Sequence, residues 1–207
     1  MQNSSSSILS NRFGRFGRPL SKTAPWILGL LLGSACVMSL PASAVAEERI
    51  CRGELGGITV DNLRVPDGAD CTLSRTQVKG TLKVEARGSL AARGVRMVGN
   101  VQAENARQVS ITDASRIGGS VQVKQGGGAR VLNSTVQGDI QYDANRGELR
   151  ANDNNVGGNV QVIGNQARSE INRNRVDGNL QCKENSPRPA GGNNRVRGNR
   201  EDQCAGF

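Results

Sequence analysis

Short segments in which apolar and polar residues alternate recur at a fixed interval along most of this chain. The clearest is Gly158-Asn159-Val160-Gln161-Val162, where one polar residue separates two valines. Alternation with a period of two predicts a half-buried β-strand, with Val160 and Val162 facing a core and Gln161 facing outward. Copies of this segment begin at seven glycines, which are Gly80, Gly99, Gly119, Gly138, Gly158, Gly178 and Gly198.

The interval between successive copies is 19 or 20 residues, which predicts a solenoid with one coil per interval. Each coil has an apolar residue two positions before its glycine, such as Val156, and another apolar patch before that, such as Leu149. No long run has the apolar spacing of a helix. We therefore expect an all-β fold with up to three short strands in each coil.

The length of the interval also bears on how the coils wind. A left-handed helix built on hexapeptides would repeat at multiples of six residues, and intervals of 19 and 20 fit that poorly. Stacked coils pair strand to strand and share one continuous core. The prediction is a single-stranded, right-handed parallel β-helix of about seven coils, with ends closed by disulfides.

Parallel stacking places like residues above one another, so repeated amides should form ladders. An outward ladder is predicted at Gln102, Gln122, Gln141, Gln161 and Gln181, and a second ladder at a turn is predicted at Asn154, Asn174 and Asn194. The repeated glycine is expected to permit either a positive φ or a close approach of the backbone at the corner before the strand.

The chain divides into four segments by composition. Residues 1–46 have a basic stretch, an apolar run of 15 residues and small-residue cleavage patterns ending at Ala44 and Ala46, which together predict an export signal. The run is shorter than the ~20 residues that span a bilayer, so a retained anchor is the less favoured interpretation. Residues 47–79 are predicted to be an N-terminal cap with the first irregular coils, 80–182 the regular coils and 183–207 a C-terminal cap.

Four cysteines follow the predicted signal, an even number that suits disulfides in an exported protein. They are Cys51, Cys71, Cys182 and Cys204. Three pairings are possible, and we favour the local ones, Cys51–Cys71 and Cys182–Cys204, because a solenoid needs its open ends capped. The chain has no histidine and no closely spaced cysteine pair, so no metal site and no cofactor are predicted.

The charge of the chain is mildly basic once the signal is set aside. The whole chain has 27 basic and 18 acidic residues, and removal of the four basic residues of 1–46 leaves 23 against 18, a net charge of +5. Basic residues scattered in this way do not indicate a nucleic-acid partner. Aromatic residues make up 2% of the chain, which argues against stacking platforms for sugars or bases. The variable turns after each glycine-led strand, or the glutamine ladder beside them, are the expected binding edge.

Candidate catalytic chemistry is sparse. Without histidine there is no Ser-His or Cys-His nucleophile pair. The remaining possibility is the carboxylate chemistry of β-helix enzymes that cut acidic polysaccharides, for which paired carboxylates would have to converge in a groove. The available carboxylates are Asp139, Asp143, Asp153 and Asp177.

The region from Cys51 to Cys204 resembles a group of small exported bacterial proteins with Gly-Asn-Val-Gln repeats. The resemblance is carried by Gly178-Asn179-Leu180-Gln181-Cys182-Lys183-Glu184-Asn185, by Asp202-Gln203-Cys204 and by Val60-Asp61-Asn62-Leu63-Arg64-Val65-Pro66. In texture the repeat is also similar to bactofilin-type β-helices, which lack an export signal and paired cysteines. The resemblance implies a β-helix fold and carries over no catalytic residue.

These observations favour a non-catalytic protein of the periplasm, cell envelope or extracellular space. We expect a structural or adhesive role, with envelope polysaccharide or protein as partner, no membrane span after signal removal, and a monomeric or weakly self-associating state. The alternative is a polysaccharide lyase or hydrolase. Carboxylates converging in a groove would favour the enzyme, whereas unbroken polar ladders would favour the scaffold.

Overall fold

The computed structural model describes residues 47–207, so the export signal predicted at residues 1–46 lies outside the described residues. Regular structure in the described range is β-strand throughout. The chain winds in coils, and each coil contributes one strand to each of three parallel sheets. The prediction of an all-β parallel β-helix with three short strands per coil is confirmed.

Sheet 1 contains the glycine-led segments. Its nine strands are Glu48–Ile50, Asn62–Val65, Leu82–Val84, Val101–Glu104, Val121–Lys124, Ile140–Asp143, Val160–Ile163, Leu180–Lys183 and Arg200–Asp202. The eight strands of sheet 2 are Gly53–Leu55, Asp70–Ser74, Ser89–Arg93, Gln108–Thr112, Gly128–Leu132, Leu149–Asn152, Ser169–Asn172 and Ala190–Gly192. The eight strands of sheet 3 are Thr59–Val60, Gln77–Val78, Arg96–Met97, Arg116–Ile117, Thr135–Val136, Asn155–Val156, Arg175–Val176 and Arg195–Val196.

Like positions of successive coils are direct partners in the sheets. Val160, for example, pairs with Ile140 on one side and with Leu180 on the other, and both pairs are parallel. The described residues form eight coils and the first sheet 1 strand of a ninth, one coil more than the seven glycine-led segments. With strands ~4.8 Å apart, eight steps make a rod ~38 Å long.

The two end segments continue the coils rather than only covering them. Residues 48–78 contribute two strands to each sheet although their glycine-led motif is missing. In the second coil Asp61 occupies the glycine position, because Leu63 pairs with Leu82 in the same register as later coils. Alternation of apolar and polar residues is therefore sufficient for a coil, and the glycine is an additional feature of the later ones.

The core is a set of apolar columns that run the length of the rod. Val160 and Val162 are fully buried, whereas Gln161 between them is only partly buried, so the predicted inward and outward positions are confirmed. Tyr142 is the largest fully buried side chain, and its hydroxyl donates a hydrogen bond of 2.9 Å to the carbonyl of Arg150. Burial raises the pKa of the Tyr142 phenol. Burial of these columns is the main stabilising contribution, at about 25 cal/mol per Å² of apolar surface.

The corners between sheets 1 and 2 and those between sheets 2 and 3 contain residues in the left-handed region. Asp153, Arg173 and Asn193 have φ values of 60°, 52° and 58° and occupy equivalent corners between sheets 2 and 3. Non-glycine residues adopt this region rarely. Stacking holds Asp153 and Arg173 there, since their backbone N–H groups donate hydrogen bonds to the carbonyls of Asn172 and Gly192 in the following coil.

Two disulfides lie at the two ends of the described coils. Cys51 is bonded to Cys71 and Cys182 to Cys204, with Cα–Cα distances of 5.6 and 5.2 Å. The predicted local pairing is confirmed. Disulfides persist in oxidising compartments, so these bonds indicate an environment outside the reducing cytosol.

Candidate functional site

The repeat glycines lie at the corner between sheets 3 and 1, where successive coils approach closely. A Cβ atom on Gly99 would lie 2.5 Å from the carbonyl oxygen of Gly80, and one on Gly158 would lie 2.9 Å from that of Gly138. None of the seven repeat glycines has a positive φ. Of the two explanations offered from sequence, close approach is therefore correct and the positive φ is wrong.

The space left by six of the seven glycines, all except Gly99, admits a polar side chain from the coil before it. The Asn159 side-chain oxygen accepts a hydrogen bond of 2.8 Å from the backbone N–H of Asn179, and Asn179 does the same for Asn199 at 2.9 Å. Asp139 accepts the equivalent bond from Asn159 at 2.6 Å. The residue that follows a repeat glycine thus links its coil to the next one through a hydrogen bond, and Asp139 is one of these residues.

The predicted glutamine ladder lies on the outer face of sheet 1. Gln122 donates a hydrogen bond of 2.9 Å to Gln141, and Gln141 donates one of 3.0 Å to Gln161. Gln102 and Gln181 occupy the same row in register, but Gln181 donates instead to Asp202 at 3.3 Å. The structure therefore brings together three of the five glutamines as a continuous ladder.

The ladder leaves hydrogen-bonding capacity unused. A glutamine amide has two N–H donors and two acceptor lone pairs. Gln141 uses one donor toward Gln161 and one lone pair toward Gln122. One donor and one lone pair remain, held at a fixed orientation by the ladder. Such a row can bind hydroxyl or amide groups of a ligand that lies along the rod.

Two shallow recesses follow one margin of the glutamine row. The first, about 260 Å³, is lined among others by Lys83, Gln102 and Gln122. The second, about 170 Å³, lies beside Gln141 and Gln161. The row and the recesses form a flat, polar surface, which suits an extended ligand better than a compact one.

Arg64 continues the glutamine row toward the N-terminal end of the rod. Its guanidinium lies 2.8 Å from a Glu48 oxygen and 3.3 Å from a Glu85 oxygen. The hydrogen bond from Arg64 lowers the pKa of the Glu85 carboxyl. Lys83 lies between Arg64 and Gln102 in the same row. This end of the row is therefore a cluster of charges of both signs, and the middle is the uncharged surface.

The asparagine ladder predicted at a turn is present and buried. Asn154, Asn174 and Asn194 are at most 5% exposed. Asn174 accepts hydrogen bonds of 3.0 Å from the backbone and side chain of Asn154, and it donates one of 2.6 Å to the carbonyl of Ala151. Buried amides require such partners. This ladder stabilises the corner and has no surface role.

A second buried asparagine ladder, which the sequence interpretation missed, lies under the variable turns between sheets 1 and 2. Asn145, Asn165 and Asn185 are buried, and Asn165 donates to Asn185 at 2.9 Å and to the carbonyl of Tyr142 at 3.0 Å. Each of these asparagines follows a repeat glycine by seven residues, which is the signal that could have revealed it. The expected binding edge therefore has a structural asparagine at its centre.

Of the four carboxylates considered for catalysis, Asp139 and Asp177 lie at the corner between sheets 3 and 1, two coils apart, and Asp153 lies at the corner between sheets 2 and 3. Asp153 is held by Arg173 at 2.6 Å and Asp177 by Arg197 at 3.3 Å. Asp143 ends a strand of sheet 1. The hydrogen bond from Arg173 lowers the pKa of the Asp153 carboxyl, which is the opposite of what a proton donor near neutral pH requires.

Two further properties concern the part of the chain that the structure describes. Between residues 47 and 207 no three His, Cys, Asp or Glu side chains are grouped so that they could hold a metal ion. The same range has no helix that could cross a membrane. Comparisons of the chain with protein-family models, with curated proteins and with solved structures find no match.

Proposed function

We propose that this protein is a non-catalytic β-helix of the cell envelope or its surroundings, which binds a polymer of the envelope along the outer face of sheet 1. The carrying observation is the Gln122–Gln141–Gln161 ladder, whose amides are oriented by one another and keep free donors and acceptors. Binding to such a preorganised row loses little conformational entropy. The partner class is a hydroxyl- and amide-rich polymer.

Satisfied buried polar groups and disulfide-closed ends support a role in which the protein keeps a rigid shape. Every buried side-chain nitrogen and oxygen between residues 47 and 207 has a hydrogen-bond partner. A disulfide ties each end of the coils. A disulfide that closes a loop of about 20 residues stabilises a fold by about 3 kcal/mol. These features suit a stiff surface in an oxidising compartment.

Co-sedimentation tests the proposal with the protein purified after expression of the full chain. The probes are peptidoglycan sacculi and an insoluble neutral β-glucan. The triple variant Gln122→Ala, Gln141→Ala, Gln161→Ala should bind about tenfold more weakly, as loss of one or two net hydrogen bonds implies. The matched control is Thr72→Ala, Ser110→Ala, Thr112→Ala on the outer face of sheet 2, which should bind as the unmodified protein does.

Two results would overturn the proposal. One is equal binding by the triple variant and the control, since the glutamine row would then make no contact with the polymer. The other is release of unsaturated products from pectate or alginate by the purified protein, since that would make it a lyase. Circular dichroism of each variant establishes that the fold is retained.

A further inference from the structure

Positive charge is concentrated on one of the three sides of the rod. The sheet 3 side consists of the segments that run from the end of each sheet 2 strand through the glycine position, which are 56–61, 75–80, 94–99, 113–119, 133–138, 153–158, 173–178 and 193–198. These segments hold eight basic and four acidic residues, whereas the rest of residues 47–207 holds fifteen and fourteen. The sheet 3 side therefore has a net charge of +4 and the remainder only +1.

Ion pairs within the described residues involve three of the eight basic residues on the sheet 3 side. Lys79, Arg173 and Arg197 lie against aspartates, at 3.2, 2.6 and 3.3 Å. Five exposed arginines of this side have no carboxylate within ion-pair distance among the described residues. One is Arg75 at a corner, and the four that lie in sheet 3 strands are Arg96, Arg116, Arg175 and Arg195.

These four arginines are arranged as two stacked couples. Arg96 is the direct register partner of Arg116, and Arg175 that of Arg195. Stacked strands are ~4.8 Å apart, and like charges directly opposite each other in a sheet are destabilising. Each couple therefore favours an anion that lies between or over its guanidinium groups.

Sheet 2 has a couple of the same kind whose charge is neutralised internally. Arg130 is the register partner of Arg150, and Arg150 lies 2.8 Å from Glu148 and 3.9 Å from Glu170. The hydrogen bond from Arg150 lowers the pKa of the Glu148 carboxyl. Within residues 47–207 the fold thus supplies carboxylates for the sheet 2 couple and none for the two couples of sheet 3.

The row that joins the two couples suits a chain-like ligand. Thr135 and Asn155 lie between Arg116 and Arg175 in the same register column, so the couples are three strand spacings, ~14 Å, apart along the rod. A recess of about 310 Å³ lies beside Arg175 and Arg195. Guanidinium groups bind carboxylates through paired hydrogen bonds, and the neutral side chains between them can bond hydroxyls.

We propose that the sheet 3 side binds a linear polysaccharide whose sugars carry carboxylates, laid along the rod across both arginine couples. This inference rests on the envelope-polymer role proposed above and assigns an acidic class of polymer to a second side. Single-stranded nucleic acid is less well matched because beyond residue 46 the only aromatic residues are Tyr142, which is buried, and Phe207 at the end of the chain. A lipid surface would require apolar anchors, and Val98 is the one exposed large hydrophobic residue near the couples.

Isothermal titration of the protein, purified after expression of the full chain, tests this with polygalacturonate as the probe and neutral dextran as the comparison. Arg175→Gln, Arg195→Gln should weaken polygalacturonate binding about tenfold or more, because both members of a couple are lost. Arg96→Gln, Arg116→Gln should act in the same direction. The matched control, Arg130→Gln, Arg150→Gln, removes the same charge from sheet 2 and should change the affinity less than about twofold, as loss of net charge alone implies.

Several outcomes would overturn the inference. Equal weakening by the sheet 2 control would mean that net charge alone attracts the polymer. Absence of polygalacturonate binding would mean that the arginine couples do not bind an acidic polysaccharide. Tighter binding to single-stranded DNA or to phosphatidylglycerol vesicles would assign the couples to another partner. The arginine variants leave the glutamine row intact, so β-glucan binding by these variants shows separately whether the sheet 1 proposal holds. Unchanged melting temperatures establish that the variants fold.

Discussion

At the scale of single residues, the fold depends on side chains whose neighbours are supplied by coils about twenty residues away. The Asn174 side chain accepts a hydrogen bond from Asn154 in the coil before it, and it donates one of 3.0 Å to Asn194 in the coil after it. Such a ladder supplies hydrogen-bond partners to buried amides, each of which would otherwise destabilise the fold by about 1–3 kcal/mol. The identity of one side chain therefore affects the coils on both sides.

The first prediction concerns the ionised isostere of a ladder asparagine. Asn174→Asp should destabilise the protein by about 3 kcal/mol at pH 8, because a carboxylate cannot donate to the Ala151 carbonyl. Burial raises the folded-state pKa of this new carboxyl above its unfolded value of about 3.9. The loss of folding free energy is therefore complete above the folded-state pKa, and it becomes smaller as the pH falls toward about 4. Urea unfolding at pH 8 and pH 4.5 measures it.

The exposed neighbour Asn155 provides the control for that series. Asn155→Asp places the same charge one residue away on the outer side of sheet 3. Its effect on the free energy of unfolding should stay within about 0.5 kcal/mol at both pH values. A cost at Asn174 that does not depend on pH would contradict the role of ionisation.

A second prediction compares adjacent inward and outward residues of one strand. Val160→Asp should lower the free energy of unfolding by about 4 kcal/mol or more, because an unpaired charge would enter the core. Gln161→Ala should cost about 1 kcal/mol or less, since it removes one ladder bond at the surface. Thermal and urea unfolding give both values. Equal effects of the two substitutions would refute the inward and outward assignment.

At the scale of elements, each coil is held by its neighbours and the end coils have a neighbour on one side only. The C-terminal end uses the Cys182–Cys204 bond and the Phe207 ring, which packs over Gly191 and against the core. Strands at a solenoid end expose unpaired edges. The two disulfides therefore act where the coil-to-coil contacts are fewest.

The third prediction concerns the local effect of removing one bridge. Cys182→Ala, Cys204→Ala should lower stability by about 3 kcal/mol and should speed amide hydrogen exchange in Leu180–Lys183 and Arg200–Asp202. Exchange in the central strand Val121–Lys124 should change far less. The matched variant Cys51→Ala, Cys71→Ala should produce the same pattern at the other end. Uniform acceleration along the rod would show that the coils open as one unit.

At the scale of the whole molecule, the ends of the rod carry charges at positions that are apolar in the coils between them. Arg49 is the register partner of the buried Leu63, and Arg200 and Asp202 are the partners of Leu180 and Cys182. Head-to-tail stacking of two rods would bring Arg200 over Arg49 in the shared core. Burial of unpaired charges is costly, so these residues oppose end-to-end polymerisation.

The fourth prediction follows from those end charges. The protein should remain monomeric in light scattering after size exclusion and should form no filaments in electron micrographs. Arg49→Val, Arg200→Leu, Asp202→Val makes both end surfaces apolar and should produce concentration-dependent oligomers. The control Arg64→Gln removes a charge from the outer face and should leave the monomer unchanged. Filaments of the unmodified protein would contradict the prediction.

Much of the fold could be predicted from sequence because its information is local and repeated. Alternation within Val160-Gln161-Val162 determines which side chains face inward, and an interval of 19 or 20 residues determines the coil. The disulfide pairing follows from the need to close two ends. The outward glutamine row follows from the same register, which is why that part of the candidate site was predictable.

Only the tertiary structure decided which polar residues are buried and which sides of the rod are charged. Asn165 in a variable turn has the sequence appearance of a surface residue, yet stacking places it between Asn145 and Asn185 in the interior. Arg175 and Arg195 become neighbours only because coils lie one above another. Hydrogen bonding of amides and repulsion of charges depend on distance in space, and in a solenoid residues twenty positions apart in sequence are about one strand spacing apart.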